Sequence, residues 1–219
     1  MAYNIAIDGP AGAGKSTIAK MIAKKMSLIY VDTGAMYRAM ALYLLRNGVA
    51  EDDVEGISAK CREAEISIEY EDGMQVVYLN GENVSGLLRT EEVGNMASKT
   101  SVQPAVREKL VELQKELATK KDCVMDGRDI GTCVLPGADL KIYLTASSQV
   151  RAKRRFDELT AKGVECNLEQ IRLDIEERDY RDMNRAHSPL RQAEDAILVD
   201  TSYMSIEEVA DTIMGYCKI

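Results

Sequence analysis

Several things are scarce in this sequence, and each scarcity narrows the function. No apolar run approaches the length of a membrane span. The run Ile5-Ala6-Ile7 is cut by Asp8, too short for the apolar part of a signal peptide, so a soluble cytoplasmic protein is expected. No C-x-x-C occurs. The five cysteines (Cys61, Cys123, Cys133, Cys166, Cys217) are odd in number and scattered, several in apolar contexts, which reads as reduced, packed thiols. Positive charge is not in excess: 28 Lys and Arg face 36 Asp and Glu, a net charge of −8, which argues against a binder of nucleic-acid backbones. An acidic chain can still hold an anion where its arginines converge. The one histidine, His187, lies in the loop-like HSPL and reads as a bystander. Internal repeats, low-complexity tracts and long charge runs are missing too.

The 219 residues suffice for one good core and a smaller inserted unit, with a composition ordinary for a globular protein. Residues 3–8 (YNIAID) read as a buried strand, then a glycine-rich turn and a helix from Lys15 to about Met26. A strand at 28–31 (LIYV) precedes a helix from about Gly34 to Arg46. Strands at Cys123–Met125, Leu140–Leu144 and Ala196–Val199 continue the alternation, and a helix from about Ser205 closes it. Such alternation predicts an α/β fold with a parallel sheet and helices on both faces. Glu65 to Val84 differs: Asp72-Gly73 and Asn80-Gly81 separate alternating apolar runs, a small antiparallel β-hairpin insert in the α/β core. The insert is open to two readings, a structural flap or a ligand-binding element.

Residues 9–16, GPAGAGKS, fit G-x-x-x-x-G-K-[ST]. The glycines turn backbone N–H groups around phosphate oxygens, and the following helix presents its positive N-terminus to them. Lys15 reaches the β/γ-phosphates and the Ser16 hydroxyl can ligate Mg²⁺. The flanking strand and helix make this a P-loop, with Gly9, Pro10, Ala11, Gly12, Ala13, Gly14, Lys15, Ser16 and Thr17 expected to hold ATP.

Arginines gather in two stretches. Arg151, Arg154 and Arg155 share a helix at i, i+3 and i+4, and Arg178, Arg181 and Arg185 fall at i, i+3 and i+7 with Asp179 and Asp182 between. Each cluster alone reads equally well as a solvated face with internal ion pairs. Arg38 and Arg128 add to them, and a phosphoryl donor with an anionic acceptor is what so many arginines would neutralise. In VMDGRDIGT (124–132), Asp126, Arg128 and Asp129 follow a strand; the stretch is either a turn with a surface ion pair or a ligand-facing charge cluster. A hydroxyl acceptor needs a base, for which Asp32 and Asp126 are candidates; a phosphate acceptor is already an anionic nucleophile and needs none. Many arginines without an obvious base favour a nucleoside monophosphate as acceptor.

GPAGAGKST, DTGAMYRA (32–39), NVSGLLRTEEVGNMAS (83–98), MDGRDIGT (125–132) and ERDYRDMNR (177–185) together resemble bacterial cytidylate kinases in order and spacing along nearly the whole chain. Ser16 stands where some members have Gly or Thr, and Thr33 where others have Ser. The resemblance implies a P-loop NTPase-type core at about 1–60 and 100–219, a monophosphate-binding insert at about 61–99 and a lid at about 148–165. It implies phosphorylation of CMP and dCMP by ATP with Mg²⁺, in pyrimidine nucleotide metabolism. Thr33, Arg38 and Arg128 would hold the acceptor phosphate, and Arg178 and Asp182 the ribose. Ser98, Arg107, Asp129 and Arg185 would surround the cytosine, whose amino donor suits a carboxylate and whose N3 and O2 acceptors suit an arginine. Lys15, Arg128, Arg151, Arg155 and Arg178 are the expected catalytic cations. Asp126 is expected beside CMP and, through water, beside Mg²⁺, as the metal-side carboxylate of P-loop folds often is. The partners expected are nucleotides, with no nucleic acid and no membrane, and the chain is expected to be a monomer. Two other readings stand beside this one: a P-loop kinase for another monophosphate or a hydroxyl-bearing metabolite, with Asp32 as base, and a nucleotide-gated binding module without phosphoryl transfer.

Overall fold

The computed structural model describes residues 2–217. The chain forms β1 (Asn4–Asp8), α1 (Lys15–Met26), β2 (Ile29–Asp32), α2 (Thr33–Arg46) and α3 (Val54–Glu63). Next come β3 (Ile66–Glu71), β4 (Met74–Leu79), β5 (Glu82–Asn83), α4 (Glu91–Thr100) and α5 (Pro104–Lys120). It ends with β6 (Cys123–Gly127), a π-helical turn (Ile130–Val134), β7 (Leu140–Thr145), α6 (Ser148–Ala161), α7 (Leu168–Asn184), β8 (Ile197–Asp200) and α8 (Ile206–Met214). A five-stranded sheet has the order β2-β6-β1-β7-β8, and a three-stranded sheet the order β3-β4-β5. No helix among the described residues is long and apolar enough to cross a membrane.

Two compact units divide the chain. One holds Ile29–Asp122 with Ala2; the other holds Tyr3–Leu28 and the chain from Cys123 onward. The expected insert at 61–99 lies within the first of these ranges.

In the second unit, β1 pairs in parallel with β6 and β7, and β7 with β8. Parallel strands flanked by helices are buried on both faces, so they carry continuous apolar runs. Ile5, Ala6 and Ile7 in β1, Val124 and Met125 in β6, and Ile142 and Leu144 in β7 are all buried. Helix α1 buries Ile18, Ala19, Ile22 and Ala23, the i, i+1, i+4, i+5 stripe of one helix face. The β1–β6 register, Ile7 opposite Asp126 and Asp8 opposite Gly127, carries β6 two residues beyond the strand expected from the sequence. Asp126 therefore sits in the ladder and not in the turn.

In the first unit, α2 buries Met36, Met40 and Leu44, each four residues on, and α3 buries Ile57 and Cys61 at the same interval. Strands β3 and β4 pair antiparallel from Ile66–Leu79 to Glu71–Met74. Asp72 and Gly73 close that pair with φ of 51° and 75°, and Asn80 and Gly81 start the return with 49° and 79°. Two successive positive φ values match the right-handed twist of the strands, which is why Asp-Gly and Asn-Gly occupy these turns. The hairpin is tied to β2 and to the start of α2. Gln75 accepts from the Asp32 amide at 2.8 Å and donates to the Asp32 carbonyl at 3.2 Å, and the Tyr70 hydroxyl donates to the Tyr30 carbonyl at 3.2 Å. All five cysteines are free thiols.

Candidate active site

The loop after β1 turns on glycines for measurable reasons. Gly9 has φ 149°, and a Cβ there would lie 1.9 Å from the Leu144 carbonyl oxygen, so no other residue fits. Gly14 takes φ 92° at the N-cap of α1, and no side chain caps that helix start. The first amides of α1 are thus left facing the loop, where a phosphate can accept from them. Lys15 is buried and its Nζ donates to the Pro10 carbonyl at 2.7 Å, curling across the loop it would share with the donor phosphates. Burial, and then the Arg128 charge, push its pKa down to about 7 against the pull of Asp126, Asp8 and Asp182. Ser16 Oγ donates to Asp126 Oδ2 at 2.9 Å, joining the start of α1 to β6. A hydroxyl and a carboxylate oxygen side by side are the hard donors that Mg²⁺ takes.

Beyond β6 the charges of MDGRDIGT are committed in pairs. Arg128 Nε donates to Asp182 Oδ2 on α7 at 2.8 Å. Burial opposes the Arg128 charge, but Asp182 and Asp126 outweigh it and hold the guanidinium above its ordinary value. Burial likewise works against the Asp182 carboxylate, and Arg128, Arg178 and Arg185 bring it below the usual range. Asp129, buried, accepts from Arg185 Nη2 at 3.1 Å. The surface ion-pair reading of Asp-Gly-Arg-Asp is overturned: Asp126 and Asp129 are buried, and Arg128 pairs with a carboxylate from another helix. Burying such groups is costly unless each is matched, which makes this an arranged charge cluster.

The helix arginines do not share one outward face. Arg151 is buried: Nε donates to the Ala146 carbonyl at 2.8 Å, Nη1 to the Ala11 carbonyl at 2.9 Å, and Nη1 lies 2.6 Å from Asp179 Oδ2. Arg154 grips Thr201, donating to its hydroxyl at 3.1 Å and its carbonyl at 2.7 Å. Arg155 is half-exposed and pairs with Glu158 at 3.0 Å. Residues three and four apart on a helix are neighbours at the surface, yet these long side chains fan out to separate sets of partners. On α7, the helix ends at Asn184 and Arg185 is its C-cap in extended backbone, φ −64° and ψ 141°. That exit, and not helical spacing, aims Arg185 at Asp129 and lets its Nε donate to the Ser188 carbonyl at 2.7 Å. Arg178 shares the field around Asp182, while Arg181 approaches Glu177 at 3.7 Å. His187 is exposed.

The first unit holds the remaining expected residues. Asp32 caps α2, accepting from the Ala35 amide at 2.9 Å, and its other oxygen accepts from Arg38 Nη2 at 3.0 Å. Arg89 approaches that same oxygen at 3.8 Å. Thr33 is buried at the first position of α2, and Ser98 is half-buried on α4. Arg107, buried on α5, lies over the Tyr37 ring at 5.6 Å, a cation–π contact. Sequence reading missed Asp8, Gln75, Tyr37 and Arg89. The signal for Asp8 was a carboxylate closing a buried apolar strand.

The cytidylate kinase family model matches residues 5–219. A cytidylate kinase of Listeria innocua is 52% identical over 214 residues, covering 98% of this chain and 95% of its own. One from Caldicellulosiruptor bescii is 50% identical over 211 residues, covering 96% and 93%. Among solved structures, an uncharacterised protein of Eubacterium ventriosum shares the fold at a TM-score of 0.50 and 11% identity, covering 98% of this chain and 97% of that one. A family match over all but the first four residues, joined to relatives of about half identity end to end, places the chain in a single class: it belongs to the cytidylate kinase family.

Proposed function

We propose that the paired arginines of this chain hold the acceptor of a phosphoryl transfer from ATP to CMP or dCMP, and that no general base takes part. The enzyme is a nucleoside monophosphate kinase, and the products are ADP with CDP or dCDP. One observation carries the base-free reading. The two carboxylates that the sequence offers as bases for a hydroxyl acceptor are held in structural hydrogen bonds, Asp32 with the Ala35 amide and Arg38, Asp126 with Ser16. A phosphate acceptor is already ionised and requires only positioning and charge neutralisation.

Roles follow from the chemistry of each group. Arg38, Thr33 and Arg128 take the acceptor phosphate; Arg128 is aimed by Asp182, so its remaining N–H groups are pre-oriented. Arg178 and Asp182 take the ribose hydroxyls. Asp129 accepts from the cytosine amino group, with Ser98, Arg107 and Arg185 serving the rest of the base edge. Uracil offers an acceptor where cytosine offers that donor, leaving the Asp129 carboxylate buried against a like-polarity atom. Lys15, Arg151 and Arg155 act on the transferring group, Arg151 from a position already anchored at the Ala11 carbonyl. Ser16 would hold Mg²⁺ directly and Asp126 through water. Bound there, Mg²⁺ would supply neutralising positive charge to the donor phosphates.

The test is acceptor specificity in a coupled ADP-release assay with ATP and Mg²⁺ across CMP, dCMP, UMP, AMP and small hydroxyl compounds. Fast turnover with CMP and dCMP is expected. Turnover with a hydroxyl acceptor and none with CMP would reverse the conclusion.

A further inference from the structure

Asp8 is a buried carboxylate for which the roles above have no use. It ends β1, one residue before the phosphate loop, yet both its oxygens are bonded to a different turn. Oδ1 accepts from the Ile130 amide and Oδ2 from the Gly131 amide, each at 2.7 Å. These are the first two amides of the π-helical turn that follows Asp129. From the other side, the Asp129 carbonyl accepts from the amides of Cys133 at 2.9 Å and Val134 at 3.2 Å. Asp129 thus has its carbonyl held by the turn and the next two amides held by Asp8. Its φ of −147° and ψ of 29° belong to no regular element, so these bonds, together with the Arg185 pair, set where its carboxylate points. Gly131 fits closely: a Cβ there would lie 3.1 Å from Lys141 Cδ and 3.4 Å from Asp8 Oδ2.

We infer that Asp8 is a positioning residue for acceptor selection: by gripping the Ile130 and Gly131 amides it holds Arg128 and Asp129 in register with the phosphate loop. The inference rests on Asp129 reading the cytosine amino group. Asp8 touches no substrate and acts only through this turn. An ionised carboxylate is needed because both oxygens must accept, whereas a side-chain amide or a neutral acid would turn one donor against a backbone N–H. Burial raises the Asp8 pKa to about 6, with the two amides and Lys15 pulling it down and Asp129 adding to the rise. The group is therefore charged at neutral pH, held by the bonds that do the positioning.

The experiment compares wild type, Asp8→Asn, Asp8→Glu and Asp129→Ala, measuring kcat and KM for CMP, UMP and ATP, with a melting temperature for each. In Asp8→Asn the CMP-to-UMP ratio of kcat/KM should fall by about tenfold, the loss of one charge-assisted hydrogen bond. The KM for ATP should stay within about twofold, because the loop's own bonds are intact. Asp8→Glu keeps both acceptors but carries them one methylene further out, so its ratio should fall below wild type and above Asp8→Asn; should Asp8→Asn not fold, a ratio below wild type in Asp8→Glu supports the inference and a wild-type ratio overturns it. A lower melting temperature in Asp8→Asn with an unchanged ratio means a structural role alone and overturns the inference. If Asp129→Ala lowers the ratio and neither Asp8 variant does, only the Asp8 inference falls. If Asp129→Ala leaves the ratio intact, the base-reading assignment fails and takes this one with it.

Discussion

Arg128 Nε donates to Asp182 Oδ2 at 2.8 Å across 54 residues of sequence, and each group shifts the other toward its charged form. The pair does two jobs that mutation can separate. Arg128→Ala strands a buried carboxylate and should cost about 3 kcal/mol of stability. Turnover with CMP should drop by about 10² or more as the acceptor phosphate loses its clamp. The double variant Arg128→Ala/Asp182→Asn should regain part of the stability and none of the activity. Urea melts and steady-state kinetics on the three proteins check this; recovered activity would deny Arg128 a role at the phosphate.

Lys15, with a pKa of about 7, is mostly neutral at slightly alkaline pH. Phosphates arriving beside it favour the ammonium form, so ATP binding at pH 8 should take up about one proton, falling toward none at pH 6. Calorimetric titration of Mg·ATP in two buffers of different ionisation enthalpy reads this directly. The uptake should vanish in Lys15→Met, and buffer-independent heats in the wild type would contradict it.

Asp8 links stability to acid in an uncommon direction. Unfolded it titrates near 3.8, folded at about 6, because burial disfavours its charge. Between those values the folded chain binds more protons, so the Asp8 contribution to stability is present below the window and lost as pH rises through it. Its full span is about 3 kcal/mol. Wild type should therefore gain on Asp8→Asn as pH falls from about 7 to about 4, measured by paired denaturant melts. A constant difference would mean that Asp8 keeps an ordinary pKa.

Gln75 closes two hydrogen bonds on the backbone of Asp32, the residue that also caps α2 and pairs with Arg38. Gln75→Ala should cost about 1–2 kcal/mol. It should also speed hydrogen exchange at the Asp32 amide ahead of amides in the interior of α2. Unchanged protection at Asp32 would show that the hairpin adds no order there.

Features coded by short stretches were legible in the sequence. The phosphate loop reads from glycine spacing and its flanks, and the two hairpin turns read from Asp72-Gly73 and Asn80-Gly81, whose positive φ values are a local requirement. The destinations of long side chains were not. Helical spacing groups Arg151, Arg154 and Arg155, but their partners are a loop carbonyl with Asp179, Thr201 and Glu158, set by tertiary packing. Arg185 needed the helix end at Asn184, a boundary that periodicity locates only loosely. Asp8 bonds to amides 122 and 123 residues away, and backbone amides leave no mark in a sequence.

The matching of Arg128 with Asp182, Arg185 with Asp129, Arg151 with Asp179 and Arg38 with Asp32 leaves each guanidinium nearly neutralised where it stands. On a chain of net charge −8, an incoming nucleotide meets no strong attractive field at a distance. Capture must come at short range, phosphate and base oxygens meeting the N–H groups that the carboxylates leave open on guanidiniums already aimed. Added salt would then weaken mainly the repulsion between two anions. Rapid-mixing association rates for CMP should hold steady or climb with ionic strength, where an openly basic pocket would slow.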